Sequence, residues 1–119
     1  MNLTLYHNPA CSKSRQTLEL LQQHGLSPNI VEYLKQPPDA ATLLRIAAML
    51  EVSVNGMLRP AEADYAALTA LVPPEDDAGL AERLAEFPKA LQRPIVVDED
   101  AGKAVIGRPP ENVLDLIGS

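Results

Sequence analysis

The chain has a single cysteine, no tryptophan, one phenylalanine and three tyrosines. One cysteine excludes an internal disulfide, so the Cys11 thiol is inert and buried, a metal ligand, or reactive. So few rings leave little on which nucleobases can stack, and a formal net charge of −6 repels a phosphate backbone, which argues against nucleic acid as a partner. No hydrophobic run approaches the ~20 residues that cross a bilayer. The amino terminus, Met1-Asn2-Leu3-Thr4-Leu5-Tyr6, has neither the basic start nor the apolar stretch of a signal peptide. A cytoplasmic protein without membrane association is the expectation.

What is present is an ordinary globular composition, 46% hydrophobic and 22% charged over 119 residues, enough for one core without metals or disulfides. Leu3, Leu5 and Tyr6 form a β-prone segment stopped by His7-Asn8-Pro9. A helix is predicted over residues 12–24, with Leu18, Leu20 and Leu21 on its apolar side and Gly25 as its cap. Ile30, Val31 and Tyr33 mark a second strand, and a helix over residues 39–50 follows, carried by Leu43, Ile46, Ala47 and Leu50. Shorter helices are expected over 54–58, 61–71 and 77–87, separated by prolines. Ile95-Val96-Val97 and Lys103-Ala104-Val105-Ile106 read as strands joined by a hairpin, and residues 111–117 as a closing helix.

A crossover helix implies parallel pairing of the first two strands, and a short turn antiparallel pairing of the last two. The expected fold class is therefore α/β, a thioredoxin-like β-α-β…β-β-α core with an α-helical insertion between the second and third strands. No internal repeat or linker appears, so residues 1–119 are expected to be a single domain with the insertion at about 39–90.

Cys11 stands at the start of the first predicted helix, where unpaired N–H groups and the helix dipole favour a thiolate. The same N–H groups would receive an oxyanion. His7, Lys13 and Arg15 are nearby cations or candidate bases, Ser12 and Ser14 offer hydroxyl donors, and Asn8 suits a turn that orients the cysteine loop. The bland alternatives are a buried hydrophobic cysteine, a His7 that merely completes the turn, and a solvated Lys13. Polar, turn-like flanks argue against the first. One Cys and two His give no zinc-ligand spacing, so no metal site is expected. Ser14 stands where a Cys-x-x-Cys motif would have its second sulfur, so any disulfide in a reaction cycle needs an external thiol.

The run Tyr6-His7-Asn8-Pro9-Ala10-Cys11-Ser12-Lys13-Ser14-Arg15 resembles the active-site segment of the arsenate reductases that use glutathione and glutaredoxin. The likeness continues through Glu32-Tyr33-Leu34 with Pro37-Pro38, Leu58-Arg59, Arg93-Pro94-Ile95-Val96-Val97 and Gly107-Arg108-Pro109, in order along nearly the whole chain. It implies a thioredoxin-like fold with a helical insertion, Cys11 as nucleophile on arsenate or a similar oxyanion, and Arg59, Arg93 and Arg108 as its binding residues. It also implies a supporting role for His7, a cis peptide at Pro94, no bound cofactor, glutathione as co-substrate and glutaredoxin as partner. Three arginines suit a multiply charged tetrahedral anion, because guanidinium forks offer paired donors that stay charged. Arg93 and Arg108 stand at predicted strand ends, where sites are assembled. Pro60 follows Arg59 where the family often has a polar or basic residue. Two other readings use the same chain: a glutathione-linked thiol oxidoreductase acting through Cys11 on another substrate, and a regulator resembling Spx, which shares the fold and binds RNA polymerase. The interrupted Cys-x-x-Cys and the retained arginines argue against the regulator.

Overall fold

Alternation of strand-forming and helix-forming segments at both ends of the chain produces one small sheet. The computed structural model describes residues 1–118, and Ser119, the last residue of the expected domain, lies outside the described residues. The chain divides into two compact units, Met1–Tyr33 with the described part of Arg93–Ser119, and Leu34–Gln92, which contains the expected insertion.

In the first unit, strand β1 (Leu3–His7), helix α1 (Ser12–Gln23), strand β2 (Asn29–Glu32), strand β3 (Ile95–Asp98) and strand β4 (Lys103–Ile106) form a four-stranded sheet in the order β2-β1-β3-β4. β1 pairs parallel with β2 through the α1 crossover, while β3 runs antiparallel to both β1 and β4. The two central strands, β1 and β3, are buried along their whole length, including the polar Thr4, His7 and Asp98. Leu3, Leu5, Leu21, Val96 and Val113 form the core of this unit. The register aligns Tyr6 with Ile95 and Ile95 with Ile106, so the end of β1, the start of β3 and the end of β4 meet at one edge of the sheet.

Helix α1 ends in a Schellman motif: Gly25, at φ +75°, donates its N–H to Gln22 O at 2.9 Å, and Leu26 donates to Leu21 O at 3.1 Å. His24 caps the helix with Nδ1 3.0 Å from Leu20 O. The fully buried line of α1 is Ser14, Thr17 and Leu21 rather than the leucines alone, with Leu18 and Leu20 half-buried. Two small hydroxyl residues thus occupy the inner face toward the helix start, a pattern that apolar periodicity does not reveal.

The second unit is helical. Helix α2 (Ala40–Leu50) is capped by Asp39, whose carboxylate accepts from Thr42 N–H at 2.8 Å, and helices α3 (Ala63–Thr69) and α4 (Asp77–Arg83) follow. The segment expected to be helical at 54–58 makes only a 3-10 turn, Asn55–Met57, because Leu58 turns extended and bridges to Leu91. The helix expected to run to residue 87 gives way to a 3-10 turn after Arg83, since Pro88 forces Phe87 out of helical geometry. Back in the first unit, Pro110 likewise begins the closing segment as a 3-10 turn, Pro110–Asn112, before helix α5 (Val113–Ile117) packs against β4.

Leu21 has no exposed surface and joins α1 to the sheet core. Leu21→Ala is expected to lower unfolding free energy by about 2–5 kcal/mol through lost transfer energy and the cavity left behind. Urea denaturation followed by circular dichroism measures this.

Candidate active site

The turn between β1 and α1 is closed by its own backbone. Cys11 N–H donates to Asn8 O at 2.9 Å, and the Asn8 side chain accepts from Ala10 N–H at 3.0 Å, the Asx-type bond that asparagine supplies in turns. Arg15 reaches back from the first turn of α1 and donates to Pro9 O at 2.8 Å. Arg15 is thus a strap on the loop. Cys11 itself is the N-cap residue, with extended backbone (φ −94°, ψ 124°) and its carbonyl already accepting from Arg15 N–H at 3.1 Å. Its thiol is half-buried, and Ser12 beside it is exposed.

The sulfur closes no capping hydrogen bond of its own, yet its charge is held. Desolvation pushes the Cys11 pKa up. The Ser14 N–H, a hydrogen bond from the Arg93 guanidinium, the Lys13 N–H and the Arg93 charge together outweigh it, so the thiol lies below its ordinary value. The favourable groups are the orphan amides of the helix start and one cation that cannot be deprotonated at neutral pH.

His7 and Ser14 occupy the inside of the same turn. The Ser14 hydroxyl has no exposed surface, lies 2.5 Å from His7 Nδ1 and accepts from Asn8 N–H at 3.0 Å. The Ser14 side chain, expected to face an oxyanion, is turned inward, and its contribution to the thiol comes from its backbone N–H. Burial lowers the His7 pKa, Glu32 on the neighbouring strand opposes that shift, and Arg15 adds to it. The net shift favours the uncharged imidazole of His7. The positive charge that favours the thiolate is that of Arg93.

Strand register delivers the remaining residues. Arg93 lies two residues before Ile95 and Arg108 two after Ile106, the cross-strand pair at the sheet edge where β1 ends. Arg93-Pro94 and Arg108-Pro109 are both cis peptides. The first was implied by resemblance; the second had no signal beyond the proline itself. Arg108 donates through Nη1 to Arg93 O at 3.3 Å, and Gly107 N–H donates to Pro94 O at 2.9 Å. Glycine is required at 107: a Cβ there would lie 2.6 Å from Thr17 Oγ1 and 2.9 Å from Pro94 Cγ. Thr17 is buried in α1, with its hydroxyl donating to Lys13 O at 2.9 Å. Gly107, Thr17 and Asn112 were not singled out from sequence as separate site elements. A glycine between a strand end and an Arg-Pro pair was the available signal.

Arg59 belongs to the second unit. Its backbone N–H donates to Ala90 O at 2.7 Å, and its guanidinium pairs with Glu62 at 3.2 Å across i,i+3. Among the described residues no three His, Cys, Asp or Glu side chains cluster as a metal-ion site, and no helix is long and apolar enough to cross a membrane.

A β-α-β unit continued by an antiparallel hairpin and a final helix, with a lowered-pKa cysteine at the first helix start, is the arrangement of thioredoxin-like thiol proteins. More narrowly, the ArsC family model matches residues 6–116, and the chain belongs to that family. YfgD of Escherichia coli, an uncharacterised protein, is 44% identical over 115 residues, covering 96% of this chain and 95% of that one. A protein of Neisseria meningitidis named arsenate reductase is 40% identical over 112 residues, 93% of this chain and 94% of the relative. The solved structure of an arsenate reductase from Vibrio cholerae shares 43% identity with a TM-score of 0.85, covering 97% of each chain.

Removing Arg93 leaves desolvation of Cys11 opposed by backbone amides alone. Because the guanidinium favours the charged form, Arg93→Ala is expected to raise the thiol pKa. The pH profile of iodoacetamide alkylation then moves to higher pH, with a several-fold slower rate at pH 7. An unshifted profile would show that the amides suffice.

Proposed function

We propose that this chain is an arsenate reductase in which Cys11 is the nucleophile and glutathione and glutaredoxin are the external reductants. The observation that carries the reading is the half-buried Cys11 thiol, held toward its thiolate by the amides of α1 and by Arg93. The names of the relatives support the choice of arsenate.

In this reading the Cys11 sulfur bonds to arsenic, and one arsenate oxygen leaves as water after taking up a proton. Arg93 and Arg108, fixed at the edge where three strands end, neutralise the oxygens as charge shifts between sulfur and arsenic. Arg59 is the third oxyanion ligand on the family pattern. Ser12, exposed at the helix start, is assigned to anion binding in this reading. Arsenic remains at the +5 level in this adduct. Two electrons then come from two external thiols, glutathione and a glutaredoxin cysteine, which leave joined as one disulfide while arsenite is released and the Cys11 thiolate restored. The chain supplies no second thiol, which is why both reducing thiols are external. No bound cofactor takes part. The reaction belongs in the cytoplasm, where glutathione keeps a lone cysteine reduced.

The test is arsenite release from arsenate, measured with glutathione and glutaredoxin together and with each omitted. Cys11→Ser is expected to abolish release, and undiminished release by that variant would sink the mechanism. Arg59→Ala, Arg93→Ala and Arg108→Ala are each expected to raise the KM for arsenate by about 10-fold or more, the loss of a hydrogen bond to a charged group, with circular dichroism unchanged. Formation of a Cys11–glutathione disulfide without arsenate turnover would favour a thiol oxidoreductase of another substrate.

A further inference from the structure

The residues around the Gly107-Arg108 turn are tied together more closely than a strand end requires. Gly107 N–H is bonded to Pro94 O, and the Arg108 guanidinium to Arg93 O, so the two arginine-bearing segments hold each other. On the far side, the Asn112 side chain donates from one nitrogen to two carbonyls, Ile106 O at 3.0 Å and Arg108 O at 3.3 Å. These carbonyls flank Gly107. A glycine at that position, needed for the close approach of Thr17 and Pro94, leaves the backbone without a side chain of its own to limit its motion. The amide of Asn112 supplies the missing restraint.

We infer that Asn112 is a positioning residue for oxyanion binding: by bridging Ile106 O and Arg108 O it fixes the turn from which Arg108 reaches toward Arg93. It does not touch the substrate. Its effect passes through Arg108, whose main-chain carbonyl it holds. The inference rests on the reading of Arg93 and Arg108 as oxyanion ligands. It separates two properties of the site. The groups that favour the thiolate, the amides of Lys13 and Ser14 on α1 and the guanidinium of Arg93, receive no bond from Asn112, whose amide meets only Ile106 O and Arg108 O. Loss of the bridge should therefore weaken anion binding and leave thiol reactivity in place.

Inorganic arsenate is the probe, and its ability to protect Cys11 from iodoacetamide measures binding without turnover. Asn112→Leu keeps the side-chain size and removes the donor; Asn112→Gln keeps the amide on a longer arm. For Asn112→Leu the expected result is about 5-fold weaker protection and an equal rise in the KM for arsenate, corresponding to one lost hydrogen bond. Its kcat and the pH profile of alkylation without arsenate should match wild type, and Asn112→Gln should recover part of the affinity. If the leucine variant does not fold, Asn112→Ala gives the same readouts. Protection of Asn112→Leu equal to wild type overturns the inference, as does an alkylation profile that shifts together with the affinity. If arsenate fails to protect even the wild-type thiol, the oxyanion reading itself fails and this inference falls with it.

Discussion

The site depends on favouring the thiolate form of a sulfur that lies half out of water. Desolvation pushes the Cys11 pKa up, and the opposing groups must be close, since a charge held only by distant partners would be screened. That requirement explains the order of elements at this end of the chain. A strand must stop, the backbone must turn within a few residues, and a helix must start with its first amides directed at the sulfur. Asn8 closes the turn, Arg15 straps Pro9, and the extended backbone of Cys11 sets its side chain at the helix start. The sheet then provides the cation. Because β1 and β3 are antiparallel neighbours with Tyr6 opposite Ile95, the residue that carries Arg93 necessarily lies where β1 ends.

The inner face of α1 shows how the same constraint changes packing. A helix covering a sheet ordinarily buries an apolar stripe. Here two of its three fully buried residues are Ser14 and Thr17, the former bonded to His7 and Asn8, the latter small enough for Gly107 to pass close by. The hydroxyls carry their own partners, so their burial leaves no orphaned polar group. Leu21, one turn beyond Thr17, restores the apolar contact with Leu3, Leu5, Val96 and Val113. Polar residues thus gather at the site end of the helix and apolar ones at the other.

The β-α-β start and the β-β-α finish were legible in the sequence because strands β1 and β3 are apolar and short, and because Gly25 marks the stop of α1. The Cys11 turn was legible because its determinants, Asn8, Pro9 and the helix start, are adjacent in the chain. Helix lengths in the middle third were overestimated where a proline acts on the residue before it, as Pro88 does on Phe87. The inward turn of Ser14 and the two hydrogen bonds from Asn112 were not legible, since each depends on which of several carbonyls or rings comes near in space. His7 illustrates the same limit. Its proximity to Cys11 in sequence suggested a base or a cation, and the direction of its pKa is set by burial, against the opposing charge of Glu32 from a different strand.

The lowered pKa of His7 has a consequence for the electrostatics around Cys11. If histidine supplied the cation, the thiolate would lose support as pH rose through the imidazole range. Arginine stays charged across that range, so the Arg93 cation beside Cys11 does not titrate there. The chain as a whole carries a net charge of −6, which discourages any anion at distance. Capture of an oxyanion must then be decided at short range, by donors in hydrogen-bond contact. For such donors a displacement of a fraction of an ångström matters, because charge-assisted bonds weaken steeply with geometry. In the proposed reading an acidic chain therefore needs its arginines held firmly, and the bonds among Gly107, Pro94, Arg93, Arg108 and Asn112 hold two of them.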